Sequence, residues 1–132
     1  MSVITSKTKS ENYEVEIKSD SGHTLIADEP IELGGRNKGM SPDELIITAL
    51  AACTSATLKM YAQRKDWDLQ EVRTNIKFIK GDKPGDLPTL QRAIELQGNL
   101  DLKQRERLIV IAGKCPIHKL ITGEVEIFSE LI

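Results

Sequence analysis

The stretch DELIITALAACTSATLKMYAQRK, residues 43–65, constrains this chain more than any other. Ser41-Pro42-Asp43-Glu44 reads as a helix start. It offers a serine cap, a proline at the first helical position, a glutamate that completes a capping box, and two carboxylates at the positive end of the helix dipole. Nothing interrupts the helix before Lys65, so the spacing predicts about 24 residues and roughly 36 Å of helix. Its first part, LIITALAAC at 45–53, is apolar nearly all round, and such a helix needs cover on more than one side. The chain's own strands can cover one face. The other face is small, with Ala49, Ala52, Cys53 and Ala56 at helical spacing. Small side chains let a second backbone come close, so the expected cover is a second copy in a two-fold homodimer that buries Cys53 near the boundary. The alternative is a single subunit that covers both faces.

Around this helix the sequence alternates. Tyr13, Val15 and Ile17 against Glu14, Glu16 and Lys18 read as a strand with one wet face. SDSG at 19–22 is a turn into a second strand, HTLIADE, and residues 1–9 offer a further one. PIELGGRNKGM is a glycine loop with no Lys-Ser/Thr after its glycines, so it is not a phosphate-binding loop. Val72, Thr74, Ile76 and Phe78 mark another strand, LQRAIELQG its return, and DLKQRERLIVIAGKC a second helix with Asp101 as cap. A helical turn follows Cys115-Pro116 through Ile121, and GEVEIFSELI is expected to close the chain as a strand. Strands and helices mix without regular alternation, which predicts an α+β fold and one domain over residues 1–132.

A formal charge of −2, with no Lys/Arg cluster, gives no general attraction to nucleic acid or to an anionic membrane. No window is read as reaching the roughly 18 apolar residues of a membrane span, and the N-terminus lacks the apolar core of a signal peptide. A cytoplasmic address is expected.

Cys53 and Cys115 are 62 residues apart, and in a reducing cytosol such a pair is more often reactive or metal-bound, or else two unrelated buried thiols, than a structural disulfide. Cys53 lies mid-helix, so a reactive thiolate there needs a cation brought from elsewhere. Arg36 in the glycine loop is the candidate from sequence, though it reads equally as a solvated loop residue. Asp43 or Glu44 could orient it. Ten residues of helix separate Asp43 from Cys53, a rise of roughly 15 Å, so a site using both draws the carboxylate from a second subunit or from a helix that starts later; otherwise these are capping charges. Cys115, ahead of a proline, sits at a helix start whose dipole favours a thiolate, with His118 one turn on to exchange a proton. Cysteine pairs at zinc spacing are absent, and His23 reads as a surface residue.

The order of pieces, with SPDELIITALAACTSATLKMYAQRKDW and GKCPIHKLI in their contexts, resembles the OsmC/Ohr family of osmotically inducible and organic hydroperoxide resistance proteins. LGGRNKGMSPDEL with CTSATLKMYAQRK is most similar to its OsmC-like predicted redox branch. The resemblance implies an intertwined homodimer with long central helices wrapped by curved antiparallel sheets. It implies a peroxiredoxin-like thiol peroxidase in which Cys53 attacks an organic hydroperoxide, Cys115 closes a disulfide, and an external dithiol restores both. It also implies an arginine and a carboxylate near the helix start, here Arg36 and Asp43 or Glu44, and no metal or other cofactor. The rival reading is a non-catalytic dimer of the same fold that binds a small apolar ligand or senses redox state.

Overall fold

Alternation and turn chemistry account for residues 1–46, the first of two compact units in the computed structural model, which describes residues 1–132 throughout. Strands β1 (Ile4–Thr8), β2 (Val15–Ser19) and β3 (Thr24–Ala27) form one antiparallel sheet in that order. Tyr13 lies just ahead of β2 and is exposed.

The glycine loop that follows is built around a buried carboxylate. Asp28 Oδ1 accepts the Glu29 N–H at 2.8 Å, and Oδ2 accepts those of Arg36 and Lys38 at 3.2 and 3.1 Å. Burial pushes the Asp28 carboxyl up, but these three amides, with the Arg36 charge, outweigh it and hold it below the ordinary carboxylate value. Two glycines make the turn possible by size. A Cβ at Gly35 would overlap the Glu29 carbonyl, and one at Gly39 the Ile26 carbonyl.

Helix α1, Pro42–Arg64, is one continuous 23-residue element. At its start Ser41 Oγ accepts the Glu44 N–H at 3.3 Å while Glu44 Oε1 accepts the Ser41 N–H at 3.2 Å, the reciprocal capping box expected from sequence. It ends where Asp66 takes a left-handed conformation at φ 55°, one that aspartate tolerates, and the Trp67 N–H returns to the Ala62 carbonyl at 2.8 Å.

In the second unit, residues 47–132, strands β4 (Asp68–Ile79) and β5 (Thr89–Asn99) form a long antiparallel hairpin. Along β5 every second residue, Leu90, Arg92, Ile94 and Leu96, is half-buried. Asp101 and Gln104 cap helix α2 (Leu102–Ala112) reciprocally. The core joins Leu58 and Ala62 of α1 to Leu69, Leu100, Leu108 and Ile111, with Trp67, Ile94 and Leu96 packed against it. Helix α3 (Pro116–Thr122) starts on Cys115.

Two expectations need correction. Residues 123–132 form no strand: Ile127 and Phe128 are 84 and 89% exposed, and the segment has no neighbour in this chain to complete a ladder. A strand exists only by pairing, and alternation alone does not supply a partner. The second concerns α1, whose best 18-residue window has a mean hydropathy of 1.4. By length and composition alone that is enough to cross a bilayer, because alanines and aliphatics carry the average past the interspersed hydroxyls. Only 22% of that window is buried within the chain. Leu50, Thr54, Leu58 and Ala62 are inside, whereas Ala49, Ala52, Ala56 and Met60 are exposed.

Candidate functional site

The core brings α1 and the start of α3 together, and with them the two sulfurs. Cys53 is half-buried in the middle of α1; Cys115 is fully buried at the N-cap of α3. The two thiols lie near enough for each to influence the other's proton. Burial pushes the Cys53 thiol up. The Cys115 side chain, the Ile117 N–H, the Thr57 hydroxyl at 3.9 Å and the charge of Arg92 together outweigh that, so its pKa lies below the ordinary thiol value. Cys115 goes the other way: burial and the neighbouring Cys53 sulfur raise it, against the opposing N–H groups of His118 and Ile117.

This differs from the sequence-based expectation in one respect. A helix end was expected to serve Cys115 and none to serve Cys53. In the fold an amide from the first turn of α3 reaches Cys53, because helix packing brings the start of α3 against the middle of α1. His118 is engaged by Arg92. Its Nδ1 lies 3.1 Å from Arg92 Nη2.

Arg92 is the cation of this site, and sequence reasoning missed it. Its Nη1 donates to Thr54 Oγ1 at 3.0 Å, next to Cys53 in the chain, and Thr54 passes its own proton to the Leu50 carbonyl at 2.7 Å. Arg92 makes no ion pair, and no carboxylate lines the cleft of about 440 Å³ into which it opens. The apolar walls of that cleft include Leu50, Phe78, Leu90 and Ile121, with Arg92 and His118 as its polar end. The signal was present in LQRAIELQG: Arg92 occupies the inward stripe Leu90, Ile94, Leu96, where an arginine is costly unless it has a task.

The other residues singled out from sequence are engaged elsewhere. Arg36 Nη1 pairs with Glu11 Oε2 at 2.9 Å, with both side chains about half exposed, and its backbone N–H holds Asp28. The expectation that Arg36 supplies the cation therefore gives way to Arg92. Glu44 is spent in the capping box, and Asp43 lies in the exposed first turn of α1. His23 is exposed in the β2–β3 turn.

Chemically, the arrangement pairs an acidified, half-buried thiol with a buried thiol held protonated, beside a guanidinium that lacks a carboxylate and an apolar cleft. Two free thiols near each other, beside a fixed cation, are the ingredients of thiol redox chemistry.

The family model for OsmC-like proteins matches residues 35–130, a span that contains both cysteines and Arg92. No curated protein matches the chain. Among solved structures, an OsmC-like protein of Mycoplasma pneumoniae is similar at a TM-score of 0.77 and 21% identity, over 93% of this chain and 88% of that one. The organic hydroperoxide resistance protein OsmC of Legionella pneumophila gives 0.70 and 21%, over 93% and 90%. The organic hydroperoxide resistance protein OhrB of Bacillus subtilis gives 0.64 and 20%, over 96% and 93%. These identities speak for the shared fold, a mixed α+β architecture of helices and antiparallel sheets. With the family match over most of its length, this chain belongs to the OsmC-like proteins.

Proposed function

We propose that the chain is a thiol-dependent peroxidase that reduces organic hydroperoxides with Cys53 and Cys115, as a single domain of residues 1–132 working in a homodimer. The Cys53 thiolate attacks the outer oxygen of the hydroperoxide. The O–O bond breaks, the outer oxygen with its hydrogen passes to sulfur to give the sulfenic acid, and the alkoxide leaves beside Arg92 and takes a proton from solvent water to become the alcohol. The Cys115 sulfur then bonds to that of Cys53, and the sulfenic oxygen departs as water with the proton from Cys115. An external dithiol reduces the disulfide by exchange, so the cycle needs a reducing compartment. The residues that act are Cys53, Cys115 and Arg92; Arg36, Asp43 and Glu44 are left to the glycine loop and the helix start.

The observation that carries this reading is the opposite displacement of two neighbouring thiols beside an unpaired guanidinium. A redox-inert ligand binder has no use for an acidified Cys53 and would leave it at or above the ordinary thiol value of about 8.5. The hydroperoxide-resistance role of the Legionella and Bacillus proteins points the same way.

The test is to give the reduced protein one equivalent of cumene hydroperoxide and count free thiols. Loss of two thiols in the wild type and a persistent sulfenic acid in Cys115→Ser are expected; unchanged thiols in both overturn the reading.

The homodimer rests on the uncovered stripe of α1. Ala49, Ala52, Ala56 and Met60 lie exposed on α1, and small side chains permit close helix approach. A two-chain mass in detergent-free buffer that falls to one chain in Ala56→Glu is expected. A one-chain wild type that partitions into lipid vesicles points to a membrane as the cover instead.

A further inference from the structure

A guanidinium on a long side chain is useful to a thiolate only if something holds it there. Arginine has five N–H donors and no acceptor, and it stays protonated in proteins. Each partner of Arg92 must therefore present a lone pair. Thr54 does so, because its single proton is committed to the Leu50 carbonyl at 2.7 Å. His118 can do so only with Nδ1 unprotonated, which puts the ring proton on Nε2 and leaves the imidazole neutral.

Neither acceptor carries a charge. The clamp therefore fixes the direction of the guanidinium without neutralising it, as a carboxylate in the same place would. The backbone N–H of the same residue, not its ring, acts on Cys115. One residue of α3 thus touches both the cation and the second thiol.

We propose that His118 is a positioning residue of this centre: as the neutral Nε2–H tautomer, it holds the Arg92 guanidinium in place to stabilise the Cys53 thiolate. The inference deepens the peroxidase reading. Its readout is the nucleophilicity of Cys53, which needs no peroxide, so the two can fail separately.

The experiment is the pH profile of Cys53 alkylation by iodoacetamide, with the labelled peptide identified by mass spectrometry, in variants whose melting curves match the wild type. His118→Leu removes the acceptor and is expected to move the midpoint up by about one unit, a tenfold loss of thiolate below it. His118→Asn restores an acceptor oxygen and is expected to stay near the wild type. Arg92→Leu is expected to move the midpoint as His118→Leu does, and the double variant no further, because both act through the same guanidinium. ¹⁵N shifts of the His118 ring in the unmodified protein are expected to show a bare Nδ1 and a protonated Nε2. An unmoved midpoint in His118→Leu, equal shifts in the Leu and Asn variants, additive shifts in the double variant, or a protonated Nδ1 overturns the proposal. A normal alkylation profile together with failed thiol loss to cumene hydroperoxide removes the peroxidase reading and leaves the positioning role standing.

Discussion

The glycine loop of the first unit and the cysteine cleft of the second each hold an arginine beside an ionisable group, and they use it in opposite ways. In the loop, the buried Asp28 carboxylate is satisfied by three backbone amides, while the Arg36 guanidinium turns outward to Glu11. Both of those charges have fixed partners, and the product is a folded loop. In the cleft, Arg92 rests on Thr54 and His118 with no carboxylate in the lining, and keeps its charge for whatever lies beside it. The nearby sulfur responds with a lowered pKa. A charge fully met by its neighbours builds structure, whereas one left unmet in a partly buried cleft favours chemistry.

The sharpest way to break this comparison is to remove each guanidinium in turn. Arg92→Leu is expected to slow Cys53 alkylation at neutral pH by about tenfold for each unit its pKa rises. Arg36→Leu is expected to leave that rate unchanged and to alter stability only slightly, as an exposed ion pair usually does. Equal effects of the two on alkylation would remove the distinction between the regions.

A somewhat smaller effect is expected at Asp28, and it is read in stability rather than reactivity. Its carboxyl is held down in the folded state. The folded form therefore binds a proton less readily than the unfolded one, whose value is about 3.9. The resulting stabilisation is complete above that value and is lost as pH falls through the lower, folded value. Thermal melts of wild type and Asp28→Asn are expected to differ at pH 7 and to converge as the medium becomes strongly acidic. A gap independent of pH would mean that the carboxylate charge is not what the amides hold.

The smallest effect belongs to Thr57. Its hydroxyl meets Cys53 at 3.9 Å, a long contact for a weak acceptor. Thr57→Val is expected to raise the alkylation midpoint by a small fraction of a unit. A shift as large as that of Arg92→Leu would transfer the main role from the cleft to the helix.

Much of the fold was legible because its signals are local. The capping boxes at Ser41/Glu44 and Asp101/Gln104, the period-two runs of β2, β4 and β5, and the Cys115-Pro116 helix start each declare themselves within a few residues. The closing strand failed for the complementary reason. Alternation at 123–132 states a preference, but a strand needs a neighbour, and none is present in this chain.

The site divides along the same line. Cys53 and Cys115 could be singled out from their local settings, an apolar helix and a proline-led helix start. Arg92 went unread because nearness in sequence stood in for nearness in space. Arg36 precedes α1 by six residues, whereas Arg92 follows it on β5. What betrays Arg92 is a break in pattern, a charge in the inward stripe of a strand.

By itself, the sequence determined that α1 forms, where it starts and stops, which of its faces are apolar, and that two cysteines occur in settings unlike those of a disulfide scaffold. Periodicity and capping act over one or two turns of chain, so residue order is enough to decide them. Only the tertiary structure decided that the first turn of α3 meets the middle of α1, that the two thiols lie near each other, and that Arg92 closes on them with His118 behind it. Those relations join positions 26 to 62 residues apart, and packing, which acts through space, is what brings them within reach.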